Sequence, residues 1–150
     1  MKQMLVLVFV LASLPAYAAG SADIGFIQLL AGKDAATVSD AVLLFSAAQG
    51  GEAKDFASAR DFLIGKGILK EREYAADALL GRGLLAGMTA RALGLRGSLL
   101  FRITGADRYA CSACLADGIM AGEISEFDVI SGPELIEIIG ALSSRGGGHE

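Results

Sequence analysis

Residues 131–142 read Ser-Gly-Pro-Glu-Leu-Ile-Glu-Ile-Ile-Gly-Ala-Leu. Leu135, Ile138, Ile139 and Leu142 stand four, seven, eight and eleven places after Ser131. Those offsets share one face of an α-helix. Ser131 suits the N-cap and Pro133 the first turn, where a missing N–H costs nothing. Glu134 stands where a carboxylate can bond back to the cap amide. The same frame fits twice upstream. From Thr37 it selects Ala41, Leu44, Phe45 and Ala48, with Asp40 in the acidic place. From Gly81 it selects Leu85, Met88, Thr89 and Ala92. Gly50 and Gly94 follow as helix stops.

The segments between these helices also match. Phe56 to Lys66 is helical in pattern and is followed by Gly67-Ile68-Leu69. Arg108 to Asp117 is helical in pattern and is followed by Gly118-Ile119-Met120. The unit is a helix, a Gly-Ile turn, a short loop and a capped helix. A helix of this length cannot bury its apolar stripe alone, so the units must stack. The fold class expected is mainly α, in one domain. Gly97 to Gly105 interrupts the repeat with strand-forming residues and predicts a short strand or extended segment. In the lead segment, Ile24, Phe26, Ile27, Leu29 and Leu30 predict a short helix or an edge strand.

The N-terminus has a different character. Lys2 precedes the apolar run Leu5–Leu14, Pro15 breaks it, and Ala16-Tyr17-Ala18 puts small residues before Ala19. This is the pattern of a secretory signal peptide cleaved between Ala18 and Ala19. The run is ten residues long, against about 20 for a membrane span. The expected order is a signal peptide at 1–18, a lead segment at 19–36, a helical repeat domain at 37–143 and a disordered tail at 144–150. The protein is expected to be exported, periplasmic or associated with the cell surface, with no transmembrane segment in the mature chain.

A capped helix downstream of a Gly-Ile turn resembles the S-layer homology domain, over residues 37–143. That family's signature, Thr-Arg-Ala-Glu, aligns with Thr37-Val38-Ser39-Asp40, Gly81-Arg82-Gly83-Leu84 and Ser131-Gly132-Pro133-Glu134. The first and third keep the cap and the acid without the arginine. The second keeps Arg82 without cap or acid, and Arg91 lies on the same helix. The resemblance implies a non-catalytic envelope module for attachment or scaffolding, held to an anionic cell-envelope polymer or to an envelope protein. Arg82 and Arg91 would carry the charge, and Thr37, Asp40, Ser131 and Glu134 would shape the helix starts beside them. The alternative is a periplasmic protein–protein adaptor that kept the fold and lost the polymer. Only two full units are read here, against the three that usually close such a module, so self-association or a companion protein is expected.

Composition narrows the chemistry. The net charge is −4 over 150 residues, which gives no bulk attraction to nucleic acid. Charge is segregated. Arg82, Arg91, Arg96, Arg102 and Arg108 surround the single acid Asp107, whereas Asp117, Glu123, Glu126, Asp128, Glu134 and Glu137 follow without a base. The two stretches are expected to face each other or to be solvated. Cys111 and Cys114 stand at helical spacing, which leaves three readings open: a local disulfide, a pair of reduced packing thiols, or a redox or metal role. The one histidine, His149, lies in the tail, so no Ser-His-Asp or Cys-His arrangement can be framed. A small enzyme using Glu123, Glu126 and Asp128 is the remaining catalytic reading. No cofactor or metal is expected.

Overall fold

The computed structural model describes residues 24–122 and 125–146. Seven helices lie among them: α1 (Ile24–Ala31), α2 (Val38–Ala48), α3 (Phe56–Gly65), α4 (Arg82–Leu93), α5 (Leu99–Thr104), α6 (Asp107–Ala116) and α7 (Gly132–Gly146). The fold is mainly α, as the spacing predicts. The cleavage site at Ala18 and Ala19, the acid Glu123 and the tail histidine His149 lie outside the described residues.

The helices associate in three pairs: α2 with α3, α4 with α6, and α7 with α1. Helix α7 also touches α2 and α4, so α2, α4 and α7 form the inner layer. The backbone just ahead of each inner helix makes a closed ring. Ala36 N–H donates to the Ile130 carbonyl (2.7 Å), Ile130 N–H to Leu80 (3.0 Å), and Leu80 N–H to Ala36 (2.8 Å). All three residues are fully buried. Each therefore has its amide and carbonyl satisfied within the ring, which a buried non-helical backbone requires.

A second set of bonds follows the same three-fold pattern. The first amide of each inner helix, one of the donors a helix cannot satisfy itself, reaches the neighbouring segment. Val38 donates to Ala78 (2.9 Å), Arg82 to Asp128 (2.8 Å) and Gly132 to Lys33 (2.9 Å).

The side chains of the helix frame fill the centre. Phe45, Leu85, Met88 and Leu135 are fully buried, joined by Leu30, Leu63, Leu80 and Ile130. Each such side chain contributes about 1.5–3 kcal/mol by leaving water. The two Gly-Ile turns have one geometry. Gly67 and Gly118 take positive φ, 72° and 68°, a conformation that costs glycine nothing. The following isoleucine amide then bonds back into the helix, Ile68 to Leu63 (3.0 Å) and Ile119 to Cys114 (2.9 Å).

Three expectations are corrected. Within the segment 97–105, residues 99–104 form helix α5 in place of a strand or extended segment. Ser98 caps it by accepting from the Phe101 amide (3.3 Å), and Gly105 ends it in the left-handed conformation. Residues 144–146 continue α7 and do not belong to a disordered tail. Within the described residues 24–36, the chain adds a helix to the domain. Helix α1 packs on α7 as the third outer helix, so the described residues hold three helix pairs and not two units. Gly132 permits this approach, because a β-carbon there would stand 1.7 Å from the Leu30 carbonyl oxygen.

Candidate functional site

Five of the six candidate residues lie at the starts of the inner helices, and Arg91 lies in the last turn of α4. Thr37 caps α2, accepting from the Asp40 amide (3.3 Å), while the Asp40 carboxylate accepts from the Thr37 amide (2.8 Å). This is the reciprocal capping box the sequence predicts. Lys33, at the end of the α1 loop, donates to both Asp40 oxygens at 2.8 Å. Burial pushes the Asp40 carboxyl upward. The Lys33 ammonium and the Thr37 amide and hydroxyl outweigh it, and the group sits below its ordinary value of 3.8.

Ser131 caps α7 through the Glu134 amide (3.3 Å). The Glu134 carboxylate turns to Arg82, 2.7 Å away on the neighbouring helix. Asp128 stands 3.7 Å from the same guanidinium. Arg82 occupies the first position of α4, where the helix dipole disfavours a cation. These two carboxylates offset that cost. The Arg82 side chain is only 15% exposed, and its buried Nε–H has no hydrogen-bond acceptor among the described residues.

Arg91 sits nine residues further along α4, about 13 Å at 1.5 Å per residue. It bonds Asp107 on α6 and donates to the Ile68 carbonyl (3.0 Å) and the Gly105 carbonyl (3.4 Å). Lys70 and Arg72 approach the same carboxylate at 3.8 Å and 3.5 Å. The six candidate residues thus form three separate groups: Thr37 with Asp40, Ser131 and Glu134 with Arg82, and Arg91 with Asp107. Lys33 and Asp107 were missed as partners. Asp107 had a signal, as the single acid among five arginines; Lys33 had none without the α1 packing.

The charge-segregated stretches face each other only in part. Arg82 meets Asp128 and Glu134, whereas Asp117 pairs with Arg145, outside the basic stretch, at 3.6 Å. Arg96, Arg102 and Arg108 make no ion pair among the described residues.

Cys111 and Cys114 are free and buried, which corrects the disulfide reading. Cys114 points its thiol at the Ala86 carbonyl of α4 (3.5 Å), as a packing residue of the α4–α6 contact. Burial pushes its pKa up to about 12 and raises Cys111 as well. Neither thiol is a ready nucleophile. Among the described residues, no group of three or more His, Cys, Asp or Glu is placed to hold a metal ion.

One open cleft of about 440 Å³ lies between α6 and the turn at 125–127, lined by Arg108, Cys111, Ser112, Leu115, Glu126 and Phe127 among others. Glu126 faces it, whereas Asp128 is directed at Arg82 and the Ser125 amide. The described carboxylates therefore do not converge on one pocket. No helix among the described residues is long and apolar enough to cross a membrane. Comparison with protein-family models, curated proteins and solved structures returns no match.

Proposed function

We propose that the chain is a non-catalytic, exported cell-envelope module, built from S-layer homology-like units and acting as a scaffold through protein contacts. The observation that carries this reading is the Arg82–Glu134 pair at 2.7 Å. An arginine that holds an anionic polymer must present its planar donors outward. Here the guanidinium is turned to carboxylates of its own chain, and Arg91 is likewise engaged by Asp107 and two carbonyls. The three-fold ring needs none of these charges, so the framework can persist where the polymer site does not. The periplasm or cell surface as location rests on the signal-peptide pattern of residues 1–18.

One observation favours the second reading, retention of an anionic polymer: the Arg82 Nε–H that lacks an acceptor among the described residues. The test separates the two. The chain is mixed with intact envelopes, protease-treated envelopes and protein-free wall sacculi, at low and high salt, with Arg82→Ala alongside. A protein scaffold pellets with intact envelopes only. Salt-sensitive pelleting with sacculi that weakens in Arg82→Ala would overturn that reading in favour of the polymer.

A further inference from the structure

Helix α5 carries its apolar face outward. Phe101 is its buried side chain, while Leu99, Leu100 and Ile103 are 66%, 51% and 72% exposed. At 3.6 residues per turn these three span an arc of roughly 100° opposite Phe101. Arg102 is exposed on the same helix beside that arc, and Arg96 is exposed in the loop three residues before the helix. Neither forms an ion pair among the described residues.

A complementary feature lies on the turn that lines the cleft beside α6. Phe127 is 82% exposed, between Glu126 and Asp128. The turn that carries it is fixed. Ser125 N–H donates to the Asp128 carboxylate (3.1 Å), and Phe127 N–H donates to the Ser125 hydroxyl (3.3 Å). The Glu126 and Asp128 carbonyls accept from Gly83 (2.9 Å) and Arg82 (2.8 Å) at the start of α4. An apolar ring on a preordered turn loses little freedom on binding.

We propose that the turn 125–128 of one copy docks on the outward face of α5 of a second copy. Phe127 sits among Leu99, Leu100 and Ile103, and Glu126 and Asp128 face Arg96 and Arg102. The charges are opposite in sign and flank the apolar groups on both surfaces. An anionic lipid surface would also suit α5 alone, but it would leave Phe127 and its two flanking carboxylates without a role, whereas a second copy engages both patches. The two patches differ, so the contact is head-to-tail and extends to open chains of molecules. The patches are small, which makes the contact weak and concentration-dependent. The inference stands apart from the polymer question.

The test is sedimentation velocity of the full chain over a concentration series, with Phe127→Ser, Ile103→Asp and their equimolar mixture. Both side chains are exposed, so thermal melting should be unchanged. The wild type is expected to associate progressively, and each variant at least about tenfold more weakly. The mixture keeps one intact turn and one intact α5, and should form dimers without longer chains. The apolar run Leu5–Leu14 is common to all samples, so association through it would be insensitive to both substitutions and would overturn the proposal. A wild type that stays monomeric would overturn it too. So would phosphatidylglycerol vesicles that bind the wild type and Phe127→Ser but not Ile103→Asp, because that pattern assigns α5 to lipid.

Discussion

The Ala36 amide meets the Ile130 carbonyl at 2.7 Å, which joins the backbone ahead of the first inner helix to that ahead of the last. With Leu80 the ring is complete, and each member is held by two others far away in sequence. Such contacts form only after long loops close, so their entropic cost comes before their gain. The ring therefore belongs to the global fold and not to any one helix pair, and its loss should weaken all three pairs together.

Ile130→Ala should lower stability by about 2–5 kcal/mol, and Ile130→Val by about 0.5–1.5 kcal/mol. Urea unfolding followed by far-ultraviolet circular dichroism gives both values. One cooperative transition is expected in each case. A separate early transition for α1 and α7 would show that the ring does not couple the pairs.

Two glycines on α7 should respond in opposite directions. Gly132→Ala places its methyl group against the Leu30 carbonyl, within 1.7 Å of the oxygen. Backbone must move, at a cost of about 1–3 kcal/mol or more. Gly140 is exposed in the middle of the same helix, with nothing within 4 Å of an added β-carbon. Gly140→Ala should raise stability by about 0.5–1 kcal/mol. Melting temperatures of the two variants against wild type check the contrast.

The helices were legible because several local signals agree at each. Thr37 and Asp40 specify a cap, the apolar offsets specify a face, and Gly67 and Gly118 specify the turns. Helix α5 was misread because Leu99, Leu100, Phe101 and Ile103 are all strand-formers or apolar. Its outward apolar face removes the usual distinction between buried and solvated positions. The role of α1 was not legible either, because its partner α7 lies at the far end of the described chain. At the candidate site, the residue types were readable and the pairings were not. Arg82 could be read as a free cation until the packing of α4 against α7 placed Glu134 beside it.

Acid should weaken the α2 start through Asp40. Its folded pKa lies below the ordinary 3.8, so its contribution is fully present above that value. It is lost as pH falls through the depressed folded pKa. Asp40→Asn should be less stable than wild type at neutral pH by about 1–2 kcal/mol. Its stability should also fall less steeply below pH 3.8. Chemical denaturation at a series of pH values from neutral into that acid range reads both effects. Parallel curves for the two proteins would count against Lys33 and Thr37 as the cause.

Both cysteines should resist modification in the folded chain. Cys114 is fully buried with a pKa near 12, and burial also raises Cys111. Titration with a thiol reagent at pH 8 should find almost no reaction in native buffer and two thiols in denaturant. Because the folded pKa of each is raised above the ordinary 9.0, their neutral form favours the fold below that value. That contribution declines as pH rises toward the folded pKa. Zero thiols in denaturant without reductant would reveal a disulfide.

Arg91 should matter far more to stability than Arg60, although both are paired in space. Arg60 meets its neighbour Asp61 at 2.7 Å on the surface, and such pairs contribute about 0–1 kcal/mol. Arg91 and Asp107 are each only about 15% exposed, and the guanidinium also holds the Ile68 and Gly105 carbonyls. Arg91→Ala removes all of these at once and leaves Asp107 half-buried beside two looser cations, at a cost of about 2–3 kcal/mol. Arg91→Lys should recover only part of it, because an ammonium cannot spread across three acceptors as a planar fork does. A double-mutant cycle with Asp107→Asn isolates the ion pair. Its coupling should be smaller than the Arg91→Ala cost, since the two carbonyl bonds lie outside the cycle. Equality of the two values would mean that the carbonyls contribute nothing and that the pair alone ties α4 to α6.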